Sequence, residues 1–330
     1  MIKMNILITG ASGLLGNHLT RLFLSMGNRV RVMVENEKAS DGLDTLGTDK
    51  YICDITDTFQ VKGCAAGMDV LIHAAANTNV WPTRSSKIYE VNVRGTENLI
   101  DEALASGINK FIYVSSACAF GWGPNQTPGT ENSGYRRFRY GIDYYESKLL
   151  AQQAVLKAVR ERDLPGIVVN PTFMVGAYDF KMNAAKLIDS IVQRKVPGYP
   201  PGGRNFIHAK DVATGIYHAI ERGTIGECYI LGNENLSYGE FFKIVGEVTR
   251  RKVPRIPIPA FLVLLVGMVQ SLVAAISGIP PQLGFYMARG SCQHAYYSSE
   301  KARKDLGLPG TPVSVAIGET VEWLKSINIH

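Results

Sequence analysis

"TGASGLLG", Thr9 to Gly16, is the stretch on which the fold turns. It follows the apolar run "NILIT" directly and opens a helical pattern from Leu14 to Met26. In a strand–turn–helix context the three glycines have separate uses. Gly10 permits the tight turn, Gly13 lets backbone approach a pyrophosphate, and Gly16 lets helix and strand pack closely. The helix start, with Ser12, Leu14 and Leu15, offers N–H donors and partial positive charge to phosphate oxygens. The spacing is G-x-x-G-x-x-G rather than G-x-G-x-x-G, so the placement between a first strand and a first helix carries the reading.

Outward from that turn, "VRVMV" (30–34), "KYICDI" (50–55), "DVLIHAA" (69–75), "KFIYVSS" (110–116) and "GIVVNP" (166–171) read as strands. Helical patterns run from Tyr89 to Ser106 and through Tyr144 to about Glu161. Near-continuous apolar strands separated by helices predict an α/β fold, a Rossmann-type doubly wound parallel sheet covered on both faces. The pattern breaks after Thr172, where Pro197, Pro200 and Pro201 fall among Gly198, Gly202 and Gly203. The expectation is a dinucleotide-binding domain over 1–172, to which the chain returns at about 205–232. A smaller, mostly helical substrate lobe takes 173–204 and 233–330. The crevice between them lies at the carboxyl ends of the strands, where open α/β sheets bind ligands.

The 330 residues are 46% hydrophobic and 19% charged, with a net charge of +6 that is spread along the chain. The small clusters Arg136-Arg137-Arg139 and Arg250-Arg251-Lys252 form no stripe, which argues against a nucleic-acid partner and suits an anionic cofactor, substrate or membrane surface. Cysteines at 53, 64, 118, 228 and 292 have no C-x-x-C spacing, so they read as small reduced hydrophobes and not as disulfide or zinc ligands. No apolar run at the start is long enough for a signal peptide, and the expected location is cytoplasmic. Ala260 to Ile276, "AFLVLLVGMVQSLVAAI", carries no charge. The first expectation is a helix in the core or over a greasy pocket; an interfacial membrane helix and a true span are the alternatives.

Two further features carry chemistry. Tyr144 and Lys148 in "GIDYYESKLL" (141–150) share one helix face, whereas Tyr145 points about 100° away and is expected to pack. Glu35 follows the second strand, where a carboxylate hydrogen-bonds ribose hydroxyls and repels a 2′-phosphate, so NAD is preferred over NADP. Arg29, Arg31 or Lys38 reaching the same place would reverse that preference.

Together with the glycine turn, "HAAA" (73–76), "NVRGTENLI" (92–100), "YVSSA" (113–117) and Y-x-x-x-K (144–148) resemble the extended short-chain dehydrogenase/reductase superfamily, the NAD-dependent epimerase/dehydratase family. "LIHAAANTNVWP", "PTFMVG" and "ECYILGNENLSYGEFFKIVGEVT" look most like its dihydroflavonol 4-reductase and 3β-hydroxysteroid dehydrogenase branch. The resemblance implies Tyr144 as acid–base residue, Lys148 as its activator and ribose ligand, and Ser116 as donor to the substrate oxygen, with Ser115 competing for that role. It implies cofactor contacts at Asp54, Ile55, Ala74, Ala75, Ala76, Asn92, Ser115, Pro171, Thr172, Phe173 and Met174. Thr78, Trp81, Trp122 and Arg204 are substrate-pocket candidates, and Arg289 is a second cation for an anionic substrate. His73 and His208 lack metal-ligand spacing and read as structural, so no metal is expected. The implied activity is a nicotinamide-dependent ketone or aldehyde reductase, or alcohol dehydrogenase, acting on an apolar molecule, possible as a homodimer. A nucleotide-sugar epimerase or dehydratase and a non-catalytic dinucleotide-binding or membrane-associated subunit are the competing readings.

Overall fold

The computed structural model describes residues 3–37, 42–135 and 141–327. The basic cluster at Arg136, Arg137 and Arg139 and the residue Lys38 lie outside them. The first part of the chain runs β1 (Asn5–Thr9), α1 (Leu14–Ser25), β2 (Arg29–Val34), β3 (Asp49–Ile52), α2 (Thr58–Val61) and β4 (Val70–His73). It continues with α3 (Ser86–Tyr89), α4 (Gly95–Ser106), β5 (Lys110–Val114), α5 (Asp143–Arg162) and β6 (Gly166–Pro171). Next come β7 (Phe173–Val175), α6 (Ala184–Val192), β8 (Gly203–His208), α7 (Ala209–Arg222) and β9 (Cys228–Leu231). β10 (Glu234–Ser237), α8 (Tyr238–Thr249), α9 (Ala260–Ser277), α10 (Phe285–Ser291), β11 (His294–Ala295), α11 (Glu300–Leu306) and α12 (Val313–Ser326) complete the described elements.

Among the described residues, seven strands form one parallel sheet in the order β3-β2-β1-β4-β5-β6-β9. The pleat sends Ile6 and Ile8 to one face, against Leu19 and Phe23 of α1 and Ile216 of α7. It sends Leu7 to the other, against Leu99 of α4 and Val155 of α5. Both faces are therefore buried, which is why these strands read as apolar runs without alternation. The strand order changes direction between β1 and β4, opening a crevice at their carboxyl ends.

A second, smaller sheet has the order β10-β8-β11, with β7 on β8. Its core is aromatic, with Phe206 stacked on Phe241 at 4.4 Å between ring centroids, under α6, α8 and α12. The strand at 203–208 belongs to this sheet, so the return to the large one starts with α7 at Ala209, four residues later than 205. The helix expected from Tyr89 is also interrupted: Glu90–Arg94 form a wider π turn between α3 and α4, with Asn92 buried in it. Such turns recur at functional sites.

The largest departure is α9. It is not a core helix: only Val263, Gly267 and Ala274 are buried. Phe261, Leu265, Val266, Val269, Leu272, Val273 and Ile276 are exposed. The physical reason is its packing partner, since α9 meets α10 along one narrow stripe and leaves the rest of its circumference bare.

Candidate active site

The glycine turn sits at the crevice. Gly10 has a left-handed φ of +68°, and a Cβ there would lie 2.6 Å from the Ala75 nitrogen. At Gly16 a Cβ would stand against the Gly10 carbonyl and 2.5 Å from the Ala11 Cα. No side chain fits either position. Ala74 and Ala75 press on the turn, donating to Thr9 O at 3.3 Å and Thr9 Oγ1 at 3.1 Å. From there a directed chain runs inward. Thr9 Oγ1 donates to His73 Nδ1 at 2.8 Å, His73 Nε2 donates to Thr96 Oγ1 at 2.9 Å, and Thr96 donates to Asn92 O at 2.7 Å. Burial pushes His73 down to about 3, so the ring is neutral and can accept at one nitrogen while donating at the other. His73 braces β1, β4 and α4. His208 is occupied likewise, Nδ1 accepting from Lys210 N–H at 3.0 Å and Nε2 facing Glu319 at 3.3 Å.

A dinucleotide fits the residues around this turn. Helix α1 begins at Gly13 without a side-chain cap, leaving its first N–H groups open to an anion. Ser12, Gly13 and Leu14 are half-buried, while the Leu15 side chain belongs to the core. The Ser115 Oγ is buried without a hydrogen-bond partner among the described residues, at the end of β5. Glu35 is exposed just past β2. Arg31 is held by Asp49 at 2.9 Å and by the Cys64 carbonyl at 3.0 Å, and Arg29 leans on Asp49 at 3.7 Å. One Asp54 carboxylate oxygen accepts from both Thr56 N–H and Thr56 Oγ1, while Ile55 is buried under Gly95.

Helix α5 carries Tyr144 and Lys148 along its inner face. Lys148 is buried, and its Nζ donates to the Val114 carbonyl at 2.8 Å, at the end of β5. Burial lowers its ammonium to about 8. Burial likewise holds the Tyr144 phenol well above its ordinary value, opposed by a hydrogen bond with Ser116. Ser116, Tyr144 and Lys148 thus meet where β5 ends against α5. Tyr145 does more than pack: it also hydrogen-bonds Arg204.

Several supporting residues escaped the sequence reading. Asn170 donates to Ser116 O at 3.0 Å and to Gln152 Oε1 at 2.7 Å, fixing the serine's backbone from β6. A polar residue inside the apolar run "GIVVNP" was the available signal. Asn92, already a candidate from the sequence, exchanges hydrogen bonds with Asn77 N (2.7 Å) and O (3.0 Å) and donates to Ser147 Oγ at 2.9 Å. Asp143 accepts from Ser85 N–H at 2.8 Å and Arg84 at 2.6 Å. The 77–85 loop, with exposed Thr78 and half-buried Trp81, is thereby clipped to the start of α5. Cys118 is half-buried and hydrogen-bonds Ser116; burial pushes its thiol up to about 11. No spacing announced it.

Arg204, half-buried on β8, donates from Nε to the Tyr238 hydroxyl at 2.7 Å and lies 5.6 Å from the Phe173 ring centroid. Tyr238 leads the neighbours that hold its guanidinium charged, with Tyr145 and Tyr297 beside it. No carboxylate among the described residues pairs with it. Thr172 Oγ1 donates to Asn205 Oδ1 at 2.8 Å, so the Pro171–Met174 segment passes from the large sheet to this strand. Trp122 packs beside Phe120, Ile230 and Tyr297, and Arg289 is half-buried in the last turn of α10.

A glycine turn at the switch point of a doubly wound sheet, with a buried tyrosine and lysine on one helix where β5 ends, fits the family that the sequence resembles. Residues 6–232 match the NAD dependent epimerase/dehydratase family, and the chain belongs to it. It is 30% identical to a Synechocystis protein named "Putative dihydroflavonol 4-reductase", over 97% of this chain and 94% of that one. It is 27% identical to the sterol demethylase protein B of Methylococcus capsulatus, over 98% of each. The crystal structure of gox2253 superposes with a TM-score of 0.85 at 31% identity, covering 99% of both chains. The protein is an NAD-dependent family enzyme of the oxidoreductase type.

Proposed function

We propose that this protein interconverts a ketone or aldehyde and the corresponding alcohol on a largely apolar small molecule, with Tyr144 as the acid–base residue. The observation that carries the reading is the meeting of Tyr144 with Ser116, beside a Lys148 whose ammonium is pinned to the Val114 carbonyl. Burial keeps the Tyr144 proton in place, which is the form needed to protonate a carbonyl oxygen. Ser116 donates a hydrogen bond to the same oxygen as charge develops there. The nicotinamide, when bound, supplies or takes up the hydride. Lys148, charged below about 8, stabilises the phenolate left after proton transfer.

NAD is favoured over NADP, since Glu35 stands at the end of β2 and both nearby arginines are engaged by Asp49. The names of the relatives, a dihydroflavonol reductase and a sterol demethylase protein, support an apolar substrate. Arg204 suits an anionic group on that substrate. The test is net cofactor turnover with ketosteroids, keto-lipids and dihydroflavonols against UDP- and GDP-sugars. Stoichiometric NADH oxidation with a member of the first set is expected. Sugar epimerisation without net NADH consumption would overturn the reading in favour of an epimerase.

A further inference from the structure

Helix α9 is built inside out for water. Its two hydrogen-bonding side chains in mid-helix, Gln270 and Ser271, are turned toward the protein. Gln270 Oε1 accepts from Leu283 N–H at 2.9 Å and Ser271 Oγ from Phe285 N–H at 2.8 Å, fastening the strap that leads into α10. The apolar side chains point the other way, with Phe261 68%, Leu272 60% and Ile276 89% exposed. Between Arg255 and Arg289 the sequence holds no charged residue. Immediately before this stretch stand Arg250, Arg251, Lys252 and Arg255, and none of them meets a carboxylate among the described residues.

We propose that α9 lies flat in the interface of an anionic lipid bilayer, with its outer face among the acyl chains and the 250–255 cations on the headgroups. Length and apolarity would also allow α9 to cross a bilayer, but one side of it is held to the protein: Val263, Gly267 and Ala274 are buried, Gly267 lies against Ala288 and Phe285 of α10, and Gln270 and Ser271 bind Leu283 and Phe285, so the helix runs along the surface of its lobe. A second copy of the chain fits this face less well. A two-fold contact through α9 would cover the apolar face, but an antiparallel pair sets the two cation clusters at opposite ends of the paired helices and brings them no counter-charge from α9, whereas anionic headgroups neutralise them. The element is also placed at the site: the Tyr286 ring of α10 fills the space where a Cβ of Gly141 would stand, three residues before Tyr144. An apolar molecule dissolved in the bilayer would thus meet the protein beside the crevice. The docking itself does not depend on which reaction the site performs.

Co-sedimentation of the full chain with vesicles tests it without any turnover. The chain should sediment with phosphatidylcholine vesicles containing phosphatidylglycerol, less with phosphatidylcholine alone, and less again as salt rises. The Leu272→Glu/Ile276→Glu variant should lose at least about tenfold of the partitioning on both vesicle types with an unchanged melting temperature. Arg251→Glu/Arg255→Glu should lose only the preference for the anionic vesicles. The proposal is overturned if the unmodified chain stays in the supernatant with both vesicles. It is equally overturned if the chain is a dimer in solution that the Leu272/Ile276 variant dissociates while vesicle binding is absent.

Discussion

The turn at Thr9–Gly16 and the helix at Ala260–Ser277 are both uncharged and both rich in small and apolar residues, yet they end in opposite environments. The turn is closely enclosed: Gly10 and Gly16 have backbone where a Cβ would be, and Thr9 feeds a hydrogen-bond chain through His73 to Asn92. In α9 the polar atoms face the protein and the apolar ones face out. Burial follows from which elements are available as partners. The β1–α1 turn has β4, α4 and α7 around it; α9 has α10.

That contrast can be broken at graded cost. Tyr144→Phe should lower kcat about 1000-fold, the range of a lost general acid, while NADH fluorescence titration shows cofactor binding retained; full turnover would remove Tyr144 from the chemistry. Gly16→Val should cost roughly 3 kcal/mol by forcing backbone apart, read as a fall in melting temperature, whereas Gly13→Ala, whose Cβ would lie 3.4 Å from Gly10 O, should fold and lose dinucleotide affinity. A normal melting temperature for Gly16→Val would mean the turn is as unpartnered as α9.

Acid should act through the braced histidines. His18 of α1, whose Nε2 donates to the Ala177 carbonyl at 3.0 Å, is lowered by burial to about 4, and His73 to about 3, against an ordinary 6.5. Between those limits the unfolded chain binds protons that the folded one refuses. Stability is therefore intact above pH 6.5 and falls as pH drops toward about 4. The slope is about 1.4 kcal/mol per pH unit for each histidine, measurable by denaturant melts across that window. Arg204→Gln should raise KM about tenfold for a substrate bearing an anion, as a charged hydrogen bond is lost, with little change in kcat. The smallest effect is expected at α9, where Leu272→Gln should move stability by no more than about 0.5 kcal/mol. A large loss there would show the face to be packed.

The shared placement of Tyr144 and Lys148 on α5 was readable because four residues make about one helical turn, so the two had to share a face. The glycine turn was readable because glycine alone tolerates both a left-handed φ and a backbone at contact distance. Arg204 shows the limit. Its neighbours Tyr145, Tyr238 and Tyr297 come from α5, the start of α8 and the segment after β11, and no spacing relates them. Asn170, Gln152 and Asp143 were missed for the same reason: each acts on a residue far away in the chain.

Local periodicity and glycine sterics thus determined, from the chain alone, a doubly wound sheet, its glycine turn and the tyrosine–lysine pair, because each depends on residues within a few positions of one another. Tertiary structure decided which strand 203–208 joins, who surrounds Arg204, and that an apolar helix faces outward. These depend on partners brought together by folding, and an uncharged helix looks the same in sequence whether its partner is a core or a membrane.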